Sequence, residues 1–148
     1  MQAQLNINDF IIEELTFKAN PDYQKAAKEQ QGQIQVSFNA KRKGKEPLFM
    51  LTLIIELNKT TKTFTHGEYY VFLKISGFFG FAKGTDEETM QKMISLNAPV
   101  MLYGVARGVV AQATANGPYG KFVLPAVNFV ELVKNSKISP SEPKRKSA

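Results

Sequence analysis

The residue types that most often carry catalysis are sparse in this 148-residue chain. It has one histidine and no cysteine, which excludes thiol nucleophiles, disulfides and zinc–thiolate sites. That histidine, His66, lies in a polar, threonine-rich connection, where we expect a solvated side chain without an acid–base partner. Asp86, Glu87 and Glu88 form an acidic cluster, but the first turn of a helix accounts for it through the macrodipole. We therefore predict that the chain is not an enzyme and has no catalytic residue, metal site or cofactor.

The sequence is rich in aromatic side chains, with eleven Phe and five Tyr but no Trp. Most occupy strand positions typical of a core. The remaining ones lie in or beside glycine-broken segments, and they are Phe78, Phe79, Phe81, Tyr103, Tyr119 and Phe122. Three interpretations stay open: extra core beneath loops, an apolar groove that accepts extended chains, or platforms that stack nucleic-acid bases. Base stacking also needs a basic track, and few basic residues are available beside these aromatic residues: Lys74, Lys83, Arg107 and Lys121.

Four segments of alternating or continuous apolar character predict the strands that position these residues. They span residues 5–17, 32–40, 47–57 and 68–76, and a basic turn at 41–45 joins the second to the third. Beyond the fourth strand, Gly77 and Gly80 flank two aromatic residues. We expect these glycines to bend the backbone and to expose the neighbouring aromatic side chains.

Two helices are predicted after the strands. A capping box at residues 85–88 opens a short helix that ends at Ser95. Asn97 then caps a second helix with Pro99 in its first turn, and Asn116-Gly117 supplies residues that tolerate the positive φ of a C-terminal cap.

The second helix carries Gly104 and Gly108 on one face. Each interior glycine costs about 0.5–1 kcal/mol relative to alanine. We therefore expect another backbone to approach closely along this face.

Four strands followed by helices predict an α+β fold, an antiparallel meander of four strands with helices packed on one face. Residues 1–135 form one domain, in which an apolar loop at 117–125 precedes a final short helix from Phe129. Residues 136–148 have the composition of a basic, disordered tail, and residues 134–148 hold five basic residues and one acid, or +4 of the net charge of +6. No secretory signal or long uninterrupted apolar run is visible. We expect a cytoplasmic protein without membrane insertion.

Several short motifs together resemble the SecB family of protein-export chaperones over about residues 5–135. They are Gly77-Phe78-Phe79, Asn97-Ala98-Pro99, Tyr103-x-x-Ala106-Arg107, Gly117-Pro118-Tyr119 and Leu124-Pro125-Ala126-Val127-Asn128-Phe129. The resemblance implies a four-stranded antiparallel sheet with helices on one face. It also implies an ATP-independent holdase that assembles as a dimer of dimers, a homotetramer, and binds unfolded polypeptides in apolar grooves.

Carried onto this sequence, the resemblance assigns a client-binding groove to Phe78, Phe79, Phe81, Tyr119, Phe122 and Leu124. Tyr103 and Arg107 are expected to be structural, with the guanidinium paired to a carboxylate or to carbonyls.

The resemblance also implies a face that docks the SecA motor through acidic residues. Glu14 matches one such position, whereas Lys18 and Lys74 stand where the family has acids. Because charge reversal at a docking face lowers affinity, a SecB-like chaperone that protects the antitoxin of a toxin–antitoxin pair is a second possibility beside export. Nucleic-acid binding through the basic tail and turn, and the binding of a small apolar ligand, remain as alternatives.

Overall fold

The computed structural model describes residues 5–23, 33–59 and 67–135 of the chain. His66, residues 24–31 of the predicted polar segment and the predicted tail at 136–148 lie outside the described residues. The described part folds into four strands and two helices in the order β1 (Leu5–Ala19), β2 (Ile34–Arg42), β3 (Leu48–Leu57), β4 (Tyr69–Phe81), α1 (Glu87–Thr114) and α2 (Phe129–Asn135).

The four strands form one antiparallel sheet in the order β1-β4-β3-β2. The α+β class and the four-stranded antiparallel sheet are therefore confirmed. A simple meander is wrong for the first strand, because β2, β3 and β4 follow one another across the sheet while β1 lies beside β4. Alternation along a strand reports which face is buried, but it carries no information about which distant strand is the neighbour.

The core lies between α1 and one face of the sheet, which we call the helix side. Every second residue of β3 and β4 points there and is buried, and on β3 these residues are Phe49, Leu51, Leu53, Ile55 and Leu57. From α1, Ile94, Ala98 and Leu102 meet them with no exposed surface. The opposite, helix-free face carries the half-buried alternate residues of the same strands.

Helix α1 is a single helix of 28 residues, which corrects the predicted break between Ser95 and Asn97. The N-cap is Asp86, whose side chain accepts a hydrogen bond from the Thr89 amide at 3.1 Å, as a start in this segment predicts. Pro99 lies inside the helix and is buried, although an interior proline costs about 3 kcal/mol and offers no N–H to the carbonyl four residues earlier. Packing on the sheet outweighs this cost, so the helix continues through a proline that predicts the start of a new helix.

Within the described residues, nothing packs closely on the two glycines of the outer face of α1. A Cβ built at Gly104 or Gly108 meets no other atom of the described residues within 4 Å. By length and composition α1 also qualifies as a membrane span, a property that core helices of soluble proteins share. Here one of its faces is buried against the sheet.

The predicted bend at Gly77 and Gly80 is wrong as well, because β4 continues as a strand to Phe81. Both glycines instead make room for neighbouring side chains. A Cβ at Gly77 would lie 3.0 Å from Leu102 of α1, and a Cβ at Gly80 would lie 2.9 Å from the Asn8 amide nitrogen. The strand therefore keeps its regular alternation, which buries Phe79 and Phe81 on the helix side.

Candidate functional site

The six aromatic and aliphatic residues predicted to line a groove fall into two classes of burial. Phe79, Phe81 and Leu124 are 1%, 8% and 0% exposed and belong to the core. Phe78, Tyr119 and Phe122 are half-buried. Of the six residues, the three half-buried ones therefore offer most of the surface that a ligand could contact.

These three accessible residues do not form one groove. Tyr119 and Phe122 contact the ring of Tyr69 at the start of β4, with ring centroids 5.7 and 6.4 Å away. Phe78 lies nine residues further along the same strand, or about 30 Å at 3.3 Å per residue, and points to the helix-free face. The predicted set thus marks two separate places at opposite ends of the sheet.

The segment at residues 117–128, which we call the 117–128 loop, is held on the core by the buried phenol of Tyr69. The Tyr69 hydroxyl donates to the Gly120 carbonyl at 2.8 Å and accepts from the Tyr119 amide at 3.0 Å. A side chain at Gly117 would collide with the Tyr69 ring, so this position requires glycine for space, and its φ is not positive as a cap would need. At the end of α1, the buried Thr114 hydroxyl accepts from the Phe122 amide at 2.8 Å.

The second half of the 117–128 loop is held by two side chains of α1. The Tyr103 hydroxyl donates to the Pro125 carbonyl at 2.6 Å, and the Arg107 Nε donates to the Leu124 carbonyl at 3.0 Å. Burial raises the pKa of the Tyr103 hydroxyl to about 12, so it stays a neutral donor at physiological pH. These contacts agree with the structural roles expected for both residues.

A cavity of about 250 Å³ lies between the 117–128 loop and the nearby end of the sheet, and we call it the loop cavity. It is lined by Tyr23, Ile34, Leu57, Asn58, Gly67, Glu68, Phe122, Val123 and Pro125. Val123 is 49% exposed at its mouth. Five apolar side chains (Ile34, Leu57, Phe122, Val123 and Pro125) line it together with the polar groups of Tyr23, Asn58 and Glu68.

Two asparagines, Asn20 and Asn58, build the floor of this region. Asn58 adopts a left-handed backbone with φ 57°, accepts from the Gln33 amide at 2.8 Å and donates to the Tyr69 carbonyl at 2.7 Å. Asn20 donates to the Gly67 carbonyl at 2.8 Å. Asn20 directly follows β1 and Asn58 directly follows β3. Asparagine tolerates the left-handed region that Asn58 adopts, and its side chain can accept from the backbone two residues on, as that of Asn20 does from the Asp22 amide at 2.9 Å.

The three residues assigned to a motor-docking face do lie together on the helix-free face. Glu14 is the cross-strand neighbour of Lys74, and Lys18 is the neighbour of Tyr70. The Lys74 ammonium lies 3.5 Å from Glu13, and the Ser76 hydroxyl donates to Glu13 at 2.6 Å. The hydrogen bond from Ser76, followed by the charge of Lys74, lowers the pKa of Glu13 below its ordinary value. This part of the face therefore has mixed charge.

A row of exposed apolar residues on the helix side of β1 was not singled out from the sequence. Phe10, Ile12, Leu15 and Phe17 are between 36% and 45% exposed, and β1 is an edge strand of the sheet. We call it the β1 apolar row. A contiguous exposed apolar surface of this kind marks an interaction site.

The acidic cluster before α1 has structural contacts. Asp86 caps the helix, and Glu87 accepts from the Arg42 guanidinium at 2.7 Å. These hydrogen bonds lower the pKa values of both carboxyl groups. Among the described residues, no group of three or more His, Cys, Asp or Glu side chains could hold a metal ion.

Comparison with protein families gives a match across most of the chain. The family model described as preprotein translocase subunit SecB matches residues 1–139. The protein-export protein SecB of Rhodospirillum centenum is 25% identical over 135 residues, covering 88% of this chain and 77% of that protein. Its counterpart in Ruegeria sp. strain TM1040 is 26% identical over 138 residues, with 90% and 82% covered. The counterpart in Dinoroseobacter shibae is 26% identical over 102 residues, and the chain spans 59% of its length, less than two thirds.

A solved structure has a similar fold. It is the Mycobacterium tuberculosis SecB-like chaperone Rv1957 in complex with a ChAD peptide from the antitoxin HigA1. The two chains are 12% identical with a TM-score of 0.59, and the match covers 84% of this chain and 91% of the other.

Proposed function

Because the chain belongs to the SecB family, we propose that it is an ATP-independent chaperone that holds unfolded or aggregation-prone polypeptides. The observation that supports this most directly is the loop cavity, where half-buried Phe122 and exposed Val123 are presented by a loop that α1 and Tyr69 hold in place. A preformed site loses little conformational entropy when a client segment binds.

The size of the loop cavity favours a polypeptide over a small-molecule ligand. At about 250 Å³ it is smaller than the roughly 300–1,000 Å³ of pockets that enclose whole ligands. A volume of this size suits one large apolar side chain of an extended client. Phe122, Tyr119 and Phe78 supply accessible aromatic surface for such contacts, whereas Phe79, Phe81 and Leu124 act by supporting it from the core.

We propose that the working unit is a homotetramer built as a dimer of dimers. β1 is a fifteen-residue edge strand that, among the described residues, pairs only with β4. An exposed edge of this length invites pairing with another chain, and the β1 apolar row would be covered when two copies meet there. The outer face of α1, with Leu96, Val100, Gly104 and Gly108 exposed, offers a second self-complementary surface.

For the client, we propose an antitoxin or a similarly unfolded partner in preference to SecA-dependent export. The similar fold from M. tuberculosis holds an antitoxin peptide. On the helix-free face, Lys18 and the Glu13-paired Lys74 interrupt the acidic surface onto which a motor domain would dock, which lowers its affinity. We place this activity in the cytoplasm, as family membership implies. Titration of the purified chain with SecA checks the partner assignment: no measurable binding is expected, and micromolar affinity would contradict it.

Suppression of aggregation without nucleotide tests the holdase proposal. Urea-unfolded citrate synthase is diluted into buffer with the wild-type chain, and we expect light scattering to fall. Val123→Asp should weaken this effect because a charge at the cavity mouth opposes burial of client apolar surface. Val130→Asp is the matched control, since Val130 is 54% exposed but does not line the loop cavity. Equal activity of the two variants, or no suppression by the wild type, would refute the proposal.

A further inference from the structure

A second cavity lies at the other end of the sheet, beside the turn between β2 and β3, and it has a different chemistry. Its volume is about 460 Å³, and we call it the hairpin pocket. It is lined by Asn8, Lys41, Arg42, Lys43, Leu48, Phe49, Met50, Phe78 and Phe79. It shares no lining residue with the loop cavity.

The walls of the hairpin pocket on the helix-free face are apolar. Met50 and Phe78 are cross-strand neighbours, and Leu48 stands opposite Gly80. All three of these side chains are half-buried, so part of each is open to a ligand. Because Gly80 has no side chain, Asn8 and Leu48 close over it and form the end of the pocket.

The rim of the hairpin pocket is basic. Residues 41–46 contain four basic residues and one acid. Arg42 is occupied structurally, since its guanidinium contacts Glu87 at 2.7 Å and donates to the carbonyls of Lys45 and Glu46. Lys41 is the cross-strand neighbour of Met50, and neither Lys41 nor Lys43 takes part in an ion pair with any described residue.

Two acids lie close to this pocket and limit its charge, Glu46 in the turn itself and Asp9 on β1. Asp9 is the cross-strand neighbour of Phe78, and its carboxylate accepts a hydrogen bond from the Phe10 amide at 2.8 Å. The ammonium groups of Lys41, Lys43 and Lys45, which form no ion pair with a described residue, outnumber these two carboxylates. The rim therefore attracts negative charge, while the walls require an apolar side chain.

We propose that the hairpin pocket is a second binding site, which takes an acidic segment of a partner polypeptide. One aromatic or aliphatic side chain of the partner enters between Met50 and Phe78, and flanking carboxylates pair with Lys41 and Lys43. An acidic peptide fits better than a nucleic acid, because Leu48 and Met50 are aliphatic and Phe78 is the only lining aromatic residue that is not buried, too few to stack successive bases. The only side-chain amide among the lining residues is that of Asn8. The site is independent of client holding at the loop cavity.

The test uses the full chain and a fluorescein-labelled peptide, Glu-Glu-Phe-Leu-Glu-Glu, followed by anisotropy. We expect binding that weakens about tenfold in Lys41→Glu/Lys43→Glu, since each exposed pair that becomes a repulsion contributes a few-fold. Lys83→Glu/Lys92→Glu changes the net charge equally outside the pocket and should bind as the wild type does. Lys41→Gln/Lys43→Gln removes the two charges without reversing them, and the affinity for the peptide should fall about threefold. This variant keeps the test valid if the charge-reversed one does not fold.

Two further peptides and a distance probe locate the binding. Glu-Glu-Ser-Ser-Glu-Glu lacks the apolar side chains, and Lys-Lys-Phe-Leu-Lys-Lys lacks the carboxylates. Both should therefore bind at least about tenfold more weakly. Since the chain has no cysteine, Lys45→Cys and Lys121→Cys can each carry a single quencher, and only the first should quench the bound peptide. Quenching at position 121 alone, equal binding of all three peptides, or binding of oligothymidine in place of the acidic peptide would overturn the proposal.

Discussion

Replacing Tyr69 by phenylalanine removes a single oxygen at the point where the 117–128 loop is attached to the sheet. The Tyr69 hydroxyl both donates to the Gly120 carbonyl and accepts from the Tyr119 amide, and its ring has no exposed surface. Phenylalanine keeps the ring and its contacts with Phe17 and Phe122. The substitution therefore isolates the two hydrogen bonds from the packing.

The expected loss of stability depends on whether the Gly120 carbonyl and the Tyr119 amide find other hydrogen-bond partners. Leaving a buried donor or acceptor without a partner costs about 1–3 kcal/mol, but both groups here are only partly buried and can recover some hydration. We expect the free energy of unfolding to fall by about 2 kcal/mol in total. For a chain of this length, that corresponds to a decrease in Tm of about 4–8 °C.

The assay has two readouts. Urea denaturation followed by circular dichroism gives the free energy of unfolding, and aggregation suppression gives client holding. Tyr70→Phe is the matched control, since the Tyr70 hydroxyl donates to Glu56 at 2.9 Å on the half-exposed, helix-free face. We expect Tyr70→Phe to cost less than about 1 kcal/mol and to leave client holding unchanged.

Tyr69→Phe should weaken both stability and client holding, because a loosened loop no longer presents Phe122 and Val123 in one geometry. A variant as stable as the wild type would show that the Tyr69 hydroxyl does not anchor the loop. A variant that is less stable but holds clients equally well at a temperature where it is folded would separate the loop from client binding and refute that part of the reasoning.

Three further predictions concern separate parts of the fold. Gly117→Ala should lower the free energy of unfolding by about 1–3 kcal/mol in the same urea titration, because the added methyl meets the Tyr69 ring. Asp86→Ala should lower Tm at neutral pH. Because the hydrogen bonds from Thr89 depress the pKa of Asp86 below 3.8, its stabilisation is present above that pH and is lost as the pH falls through the folded-state pKa, so the two proteins should converge in acid. Leu15→Lys should shift the assembly toward smaller species in light scattering after size exclusion, whereas Lys45→Glu, an exposed control on neither proposed assembly surface, should not.

Strand positions were accessible to sequence analysis because alternation is a local signal. The register of β3 against β4 buries Leu53 opposite Ile75, as the alternation of each segment predicts. The place of β1 beside β4 was not accessible, since it depends on contacts between residues fifty or more positions apart. Helix α1 was divided wrongly for a related reason: Asn97 and Pro99 are strong local signals, and burial of Ala98 and Leu102 overrides them.

The composition of the site was easier to predict than its location. Glycine-flanked aromatic residues pointed to Phe78, Tyr119 and Phe122, and all three retain accessible surface. Their separation to opposite ends of the sheet follows from β4 continuing through Gly77 and Gly80, where the glycines admit Leu102 and Asn8. At both positions glycine makes room for a neighbouring side chain. From the sequence alone, such a glycine cannot be distinguished from one that bends a strand.

The central claim is that polypeptides bind at the loop cavity, and site-specific photo-crosslinking tests it most directly. The photoreactive amino acid p-benzoylphenylalanine replaces Val123 in one variant and Val130 in another, and each is irradiated with an unfolded client in the absence of nucleotide. Both positions are about half exposed, so random collision labels them equally. Client binding at the loop cavity predicts a strong crosslink at position 123 and a weak one at position 130. Equal crosslinking at the two positions, or none at position 123 while aggregation is still suppressed, would contradict the claim.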